Sequence, residues 1–93
     1  MENGLIRVKF LTMLRNIVGE NTVETEIESK ETVSGLVESL CQRYGEKFSE
    51  AVLNEDGNLK EYVKVILNGK EVGSEARLKD GDTVLIFVPV AGG

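Results

Sequence analysis

The sequence predicts an α+β fold, a mixed sheet with one main helix packed on one face, and three observations lead there. Val33, Leu36, Val37, Leu40, Cys41 and Tyr44 fall on one stripe of an α-helix. Ile6-Arg7-Val8-Lys9-Phe10-Leu11 alternates apolar and basic residues, as a strand buried on one face does. Near the far end, Val84-Leu85-Ile86-Phe87-Val88 is apolar throughout, which suits a strand in the middle of a sheet.

Each element has a local reason. After the first strand, Thr12 is placed to cap a short turn carrying Leu14, Ile17 and Val18, which Gly19 terminates. Thr22-Val23-Glu24-Thr25-Glu26-Ile27 is β-prone and reads as a second strand. The main helix begins at Val33 with Thr32 as its N-cap and stops at Gly45. Lys47 to Leu53 reads as a loose helical turn, followed by the polar loop Asn54-Glu55-Asp56-Gly57-Asn58. Val63 to Leu67 resumes strand character, Asn68-Gly69 is a strong hairpin signal, and Lys70-Glu71-Val72 is the brief return strand. Asp80-Gly81-Asp82 is a second tight turn, leading into Thr83 to Val88. Two strands, a helix and further strands suit an α+β domain with the last strand central, and if that strand pairs with the first the topology is β-grasp, the ubiquitin-like roll.

The chain has 93 residues, which suits a single domain over residues 1–93 with a flexible tail at 89–93. With 41% hydrophobic residues a packed core is expected, and one cysteine forms no internal disulfide, which points to a reducing, cytoplasmic setting. The start Met1-Glu2-Asn3-Gly4 has no apolar signal region, and the longest apolar run is far shorter than the roughly 20 residues of a membrane span. A net charge of -5 argues against nucleic acid as a partner, since phosphate binding draws on clustered Lys and Arg.

Catalytic constellations are nearly excluded. There is no histidine, so neither a Ser-His nor a Cys-His pair is available, and zinc loses its commonest nitrogen ligand. Asn68-Gly69-Lys70-Glu71 lacks the preceding glycine and the hydroxyl of a phosphate loop. Cys41 shares the helical face of Leu40 and Tyr44, which makes it a core thiol, and Asp80 and Asp82 read as turn residues rather than an acid-base dyad. Alternation sends Arg7, Lys9, Lys64, Ile66, Leu85 and Phe87 to the face away from the helix, where an apolar patch with basic neighbours suits docking.

The feature that points to a chemistry is the ending Val90-Ala91-Gly92-Gly93. Two residues without Cβ make a thin tip that enters a narrow active site, and here an apolar strand stops at Pro89 and releases it. The reactive group is then the Gly93 carboxylate itself.

From Leu78 to Gly93 the chain closely resembles the MoaD/ThiS sulfur-carrier family, and the likeness extends through the Leu14-Arg15 turn, the Thr32-Val33 helix start and the Asn68-Gly69 hairpin. Through its Leu53 to Tyr62 segment it is most similar to the archaeal molybdopterin synthase small subunits and small archaeal modifier proteins. The family often has Pro-Pro where this chain has Val88-Pro89, so the last strand is expected to run one residue further. The resemblance implies that an activating enzyme adenylates Gly93 using ATP and Mg²⁺, with no cofactor bound by the chain itself and Val90, Ala91 and Gly92 as the inserted tail. The resulting acyl-adenylate accepts sulfur, giving a thiocarboxylate for molybdopterin synthesis in the synthase large subunit. In the alternative it joins lysines of target proteins through an isopeptide bond. In either case the chain is a non-catalytic carrier. A third reading is a noncovalent β-grasp module.

Overall fold

In the computed structural model, which describes residues 3–89, the elements run β1 (Gly4–Phe10), α1 (Thr12–Val18), β2 (Thr22–Ile27), α2 (Val33–Tyr44), α3 (Glu46–Val52), β3 (Lys64–Leu67), β4 (Lys70–Glu71) and β5 (Thr83–Phe87). The sheet order is β2-β1-β5-β3-β4, with β1 and β5 parallel and the other neighbouring pairs antiparallel. The most apolar strand is therefore central and beside the first, as its composition requires, and the fold is an α+β β-grasp.

One face of the sheet is closed by the helices. Ile6, Val8 and Phe10 of β1, Val65 of β3, and Val84 and Ile86 of β5 meet Leu36, Leu40, Phe48 and Val52, all essentially without solvent contact. Removing each such side chain from water contributes about 1.5 to 3 kcal/mol. Phe10 is the hinge of an aromatic group, edge-on to Phe48 at 5.9 Å and to Tyr44 at 6.1 Å between ring centroids. α2 starts where the sequence places it: Thr32 Oγ1 accepts the Gly35 N–H at 3.2 Å, and Gly45, with φ 89°, ends the helix.

Four local expectations need correction. Thr12 is not a cap, because Leu11 occupies that position without a side-chain hydrogen bond, and Thr12 itself takes φ 48°. The loose turn at Lys47 to Leu53 is a regular seven-residue helix, held by complete burial of Phe48 and Val52. Cys41 is only partly buried, packed at the margin of the core rather than inside it. β5 stops at Phe87 rather than continuing to Val88, since β1 ends beside Ile86, β3 begins opposite Phe87, and Pro89 has no N–H to donate.

The two turns bracketing β5 are joined by side chains. Asn68 and Gly69 have φ 51° and 89°, the left-handed pair a tight hairpin between β3 and β4 demands. Asn68 Nδ2 donates to Asp82 Oδ1 at 2.8 Å, while Asn68 Oδ1 accepts the Thr83 N–H at 2.9 Å. Asp82, 4% exposed, also accepts the Lys79 N–H at 2.9 Å. Asp80 accepts the Leu5 N–H at 2.9 Å, so the two carboxylates serve separate backbone donors and form no dyad.

Candidate functional site

Alternation along β5 decides what the uncovered face presents. With Val84 and Ile86 fully buried under the helices, Leu85 and Phe87 project to the other side, half-buried. Cross-strand register then sets their neighbours: Lys9 beside Leu85, Arg7 beside Thr83, Ile66 opposite Leu85, and Lys64 opposite Phe87. The six residues assigned to this face from alternation thus lie together on it. They form a short apolar ridge, Ile66-Leu85-Phe87, with cations on both flanks.

Sequence reasoning missed the acids on the same face. Glu24 faces Arg7 across β1 and β2, with oxygen 3.9 Å from the guanidinium, and Glu71 meets Lys64 at 3.2 Å. Both pairs are solvent-exposed and each contributes about 0 to 1 kcal/mol. Lys9 makes no ion pair among the described residues. Period-2 alternation in Thr22–Ile27 carried the signal, because it puts Glu24 and Glu26 on one side once Val23 and Ile27 are inside. Leu5, 45% exposed, is on the open side of β1 but beside the turn before β5, outside the ridge and away from Leu85 and Phe87.

Other groups do not assemble into a reaction centre. Burial raises the Tyr44 hydroxyl pKa, with Arg43 opposing and Glu20 adding to the rise, and the Tyr44 hydroxyl oxygen has no hydrogen-bond partner. Glu31 is also raised, first by burial and then by the charges of Glu28 and Glu38. Among the described residues no group of three or more acidic or cysteine side chains is arranged to hold a metal ion. A groove of about 350 Å³ between α2 and the 53–59 loop is lined by Ser34, Val37, Glu38, Leu53, Leu59 and Ser74, with no histidine to activate either serine. Also among these residues, no helix is long and apolar enough to cross a membrane.

What remains is the exit of β5. Pro89, exposed, lies two residues beyond Phe87 and leads to the tail, whose residues Val90, Ala91, Gly92 and Gly93 lie outside the described part. A central strand leaving a β-grasp sheet beside an apolar open face defines a protein of the ubiquitin-like class. The chain belongs to the ThiS family, which it matches over residues 8–93. It is 34% identical to small archaeal modifier protein 3 of Haloferax volcanii, over 95% of this chain and 98% of that protein. The crystal structure of small archaeal modifier protein 1 from the same organism superimposes with a TM-score of 0.87 at 25% identity, covering 97% of this chain and all of that one. A Pyrococcus furiosus structure, provisionally described as molybdopterin converting factor, subunit 1, aligns with a TM-score of 0.78 at 34% identity, covering 94% and 99%.

Proposed function

We propose that the Gly93 carboxylate is the working group of this protein, activated as an acyl-adenylate and converted to a thiocarboxylate that donates sulfur in molybdopterin synthesis. The carboxylate attacks the α-phosphate of ATP, held with Mg²⁺ by an activating enzyme, and pyrophosphate leaves. A sulfur nucleophile then displaces AMP. A carboxylate is a poor electrophile and its mixed anhydride with AMP a good one, so the energy of ATP enters at this step. The chain itself supplies no acid or base; its one reacting group is the Gly93 carboxylate, which it positions, and its partners catalyse. It works in the cytoplasm, and the synthase large subunit receives the tail.

The observation that carries this reading is the placement of β5. The central strand is paired on both sides, so the chain passes to the tail from the middle of the sheet, next to the Ile66-Leu85-Phe87 ridge and the cations Arg7, Lys9 and Lys64. That ridge is the proposed docking surface for the activating enzyme and the synthase large subunit. A second reading, transfer of the same acyl-adenylate to lysines of target proteins, is supported by the near full-length likeness to small archaeal modifier protein 3, which does not set it above the first. Both readings require Gly93 as the terminal residue. ATP–pyrophosphate exchange with the activating enzyme tests this: deleting Gly93, or adding a residue after it, abolishes exchange while the thermal midpoint stays put, because a displaced carboxylate misses attack geometry. Undiminished exchange by the deletion would defeat both readings.

A further inference from the structure

β5 leaves the sheet at the end where β1 stops and β3 starts. Phe10, the last residue of β1, lies beside Ile86, and Lys64, the first of β3, lies opposite Phe87. The residues adjoining those strand ends are Leu11 and Met13 on one side and Tyr62 on the other, 40%, 44% and 53% exposed. Three of the four large exposed hydrophobics among the described residues therefore stand at the foot of the tail. The fourth, Leu5, is at the opposite end, where its carbonyl accepts the Gly81 N–H at 2.9 Å in the turn that leads into β5.

A single exposed leucine needs no explanation, but this grouping has features that do. Thr12, between Leu11 and Met13, holds φ 48°, a conformation a β-branched residue rarely adopts and that costs on the order of 1 to 3 kcal/mol. The Lys60 ammonium lies 5.7 Å from the Tyr62 ring centroid, and Lys9, free of ion pairs among the described residues, is beside Leu85. In a chain of net charge -5, Lys9 and Lys60 stand near these apolar side chains, with the acid Glu61 next to Tyr62 in sequence. Geometry gives a further constraint: the four residues after Pro89 span at most about 14 Å. An active site that receives Gly93 thus has its mouth against this end of the sheet.

We propose that Leu11, Met13 and Tyr62 form an apolar rim around the foot of the tail, which seats on the channel mouth of the adenylating enzyme, a surface apolar at its centre and flanked by carboxylates that meet Lys9 and Lys60. The inference rests on the reading of Gly93 as the activated group. It extends the contact beyond the Ile66-Leu85-Phe87 ridge, around the strand end and onto α1 and the turn before β3.

The test is ATP–pyrophosphate exchange with the full chain titrated against the adenylating enzyme. Leu11→Ser/Met13→Ser and Tyr62→Ser are each expected to raise the KM for this protein about tenfold, the scale of losing a central apolar contact, with kcat within about twofold. Leu5→Ser, equally exposed but remote, is expected to behave as wild type, and thermal midpoints identify any variant that has lost its fold. Lys9→Glu/Lys60→Glu is expected to raise KM at low salt, with the difference shrinking as salt is added. Wild-type KM in both rim variants, or equal impairment by Leu5→Ser, overturns the rim while leaving the Gly93 reading intact. No exchange by the wild-type chain overturns both.

Discussion

Replacing Asp82 by alanine removes the side chain that ties the β3–β4 hairpin to the start of the central strand. Its carboxylate accepts from Asn68 Nδ2 at 2.8 Å and from the Lys79 N–H at 2.9 Å, and the residue is 4% exposed. Hydrogen bonds to a charged group are worth about 1.5 to 3 kcal/mol each, and a buried donor left alone costs about 1 to 3 kcal/mol. The Asn68 end is solvent-exposed, so water replaces part of that bond after truncation. The expected loss is therefore about 2 to 4 kcal/mol, rather than the sum of two full bonds. Against the 5 to 15 kcal/mol that stabilise a typical domain, this is a large fraction. Asp82→Asn keeps one acceptor but turns an N–H₂ toward the other donor, so it is expected to lose about half as much. Urea denaturation followed by circular dichroism reads these losses as a shift of midpoint at constant slope. A double-mutant cycle with Asn68→Ala isolates the shared bond, with an expected coupling of about 1 kcal/mol or more. A loss under about 1 kcal/mol for Asp82→Ala, or strict additivity in the cycle, would refute the idea that these side chains lock the two turns together.

Phe87→Ala is expected to weaken binding to the activating enzyme by about 2 kcal/mol, roughly 30-fold in Kd, as read by titration calorimetry; an unchanged Kd removes the open face from the interface. Cys41→Ala is expected to leave thiocarboxylate formation intact at matched folded concentration, with a modest stability loss from the cavity at the core margin; lost activity with a normal melting transition would make the thiol chemical. Tyr44→Phe deletes a hydroxyl that has no partner while keeping the ring against Phe10 and Phe48, so stability is expected to be unchanged or up to about 1 kcal/mol higher. A drop of more than about 1 kcal/mol in its urea midpoint analysis would mean the hydroxyl is bonded in solution.

The elements that sequence alone defines are those whose pattern and position agree. The α2 stripe, its Thr32 cap and the Asn68-Gly69 hairpin each have a local cause, and the apolar β5 has one place to go. From there alternation alone puts Phe87, Leu85 and Ile66 on the face opposite Val84, Ile86 and Val65. α3 was less legible, because a seven-residue helix is marginal in water and depends on tertiary burial of Phe48 and Val52. Spacing of four between those residues is its only signal. Thr12 fails as a cap for a similar reason: the path from β1 into α1 puts it at φ 48° whatever its propensity. The bond from Asn68 to Asp82 crosses 14 residues, and no local pattern announces it. Gly92 and Gly93 lie outside the described residues, and their chemistry belongs to the proposed function.

The most direct measurement is the intact mass of the purified protein, with tandem fragmentation of its C-terminal peptide, after incubation with the activating enzyme, ATP, Mg²⁺ and a sulfide donor. One carboxylate oxygen is expected to be replaced by sulfur, at Gly93 and only when ATP is present. Adducts joined through Gly93 to lysine amines would instead establish the modifier route. An unchanged Gly93, in a reaction where the same enzyme activates another Gly-Gly carrier, would contradict the central claim.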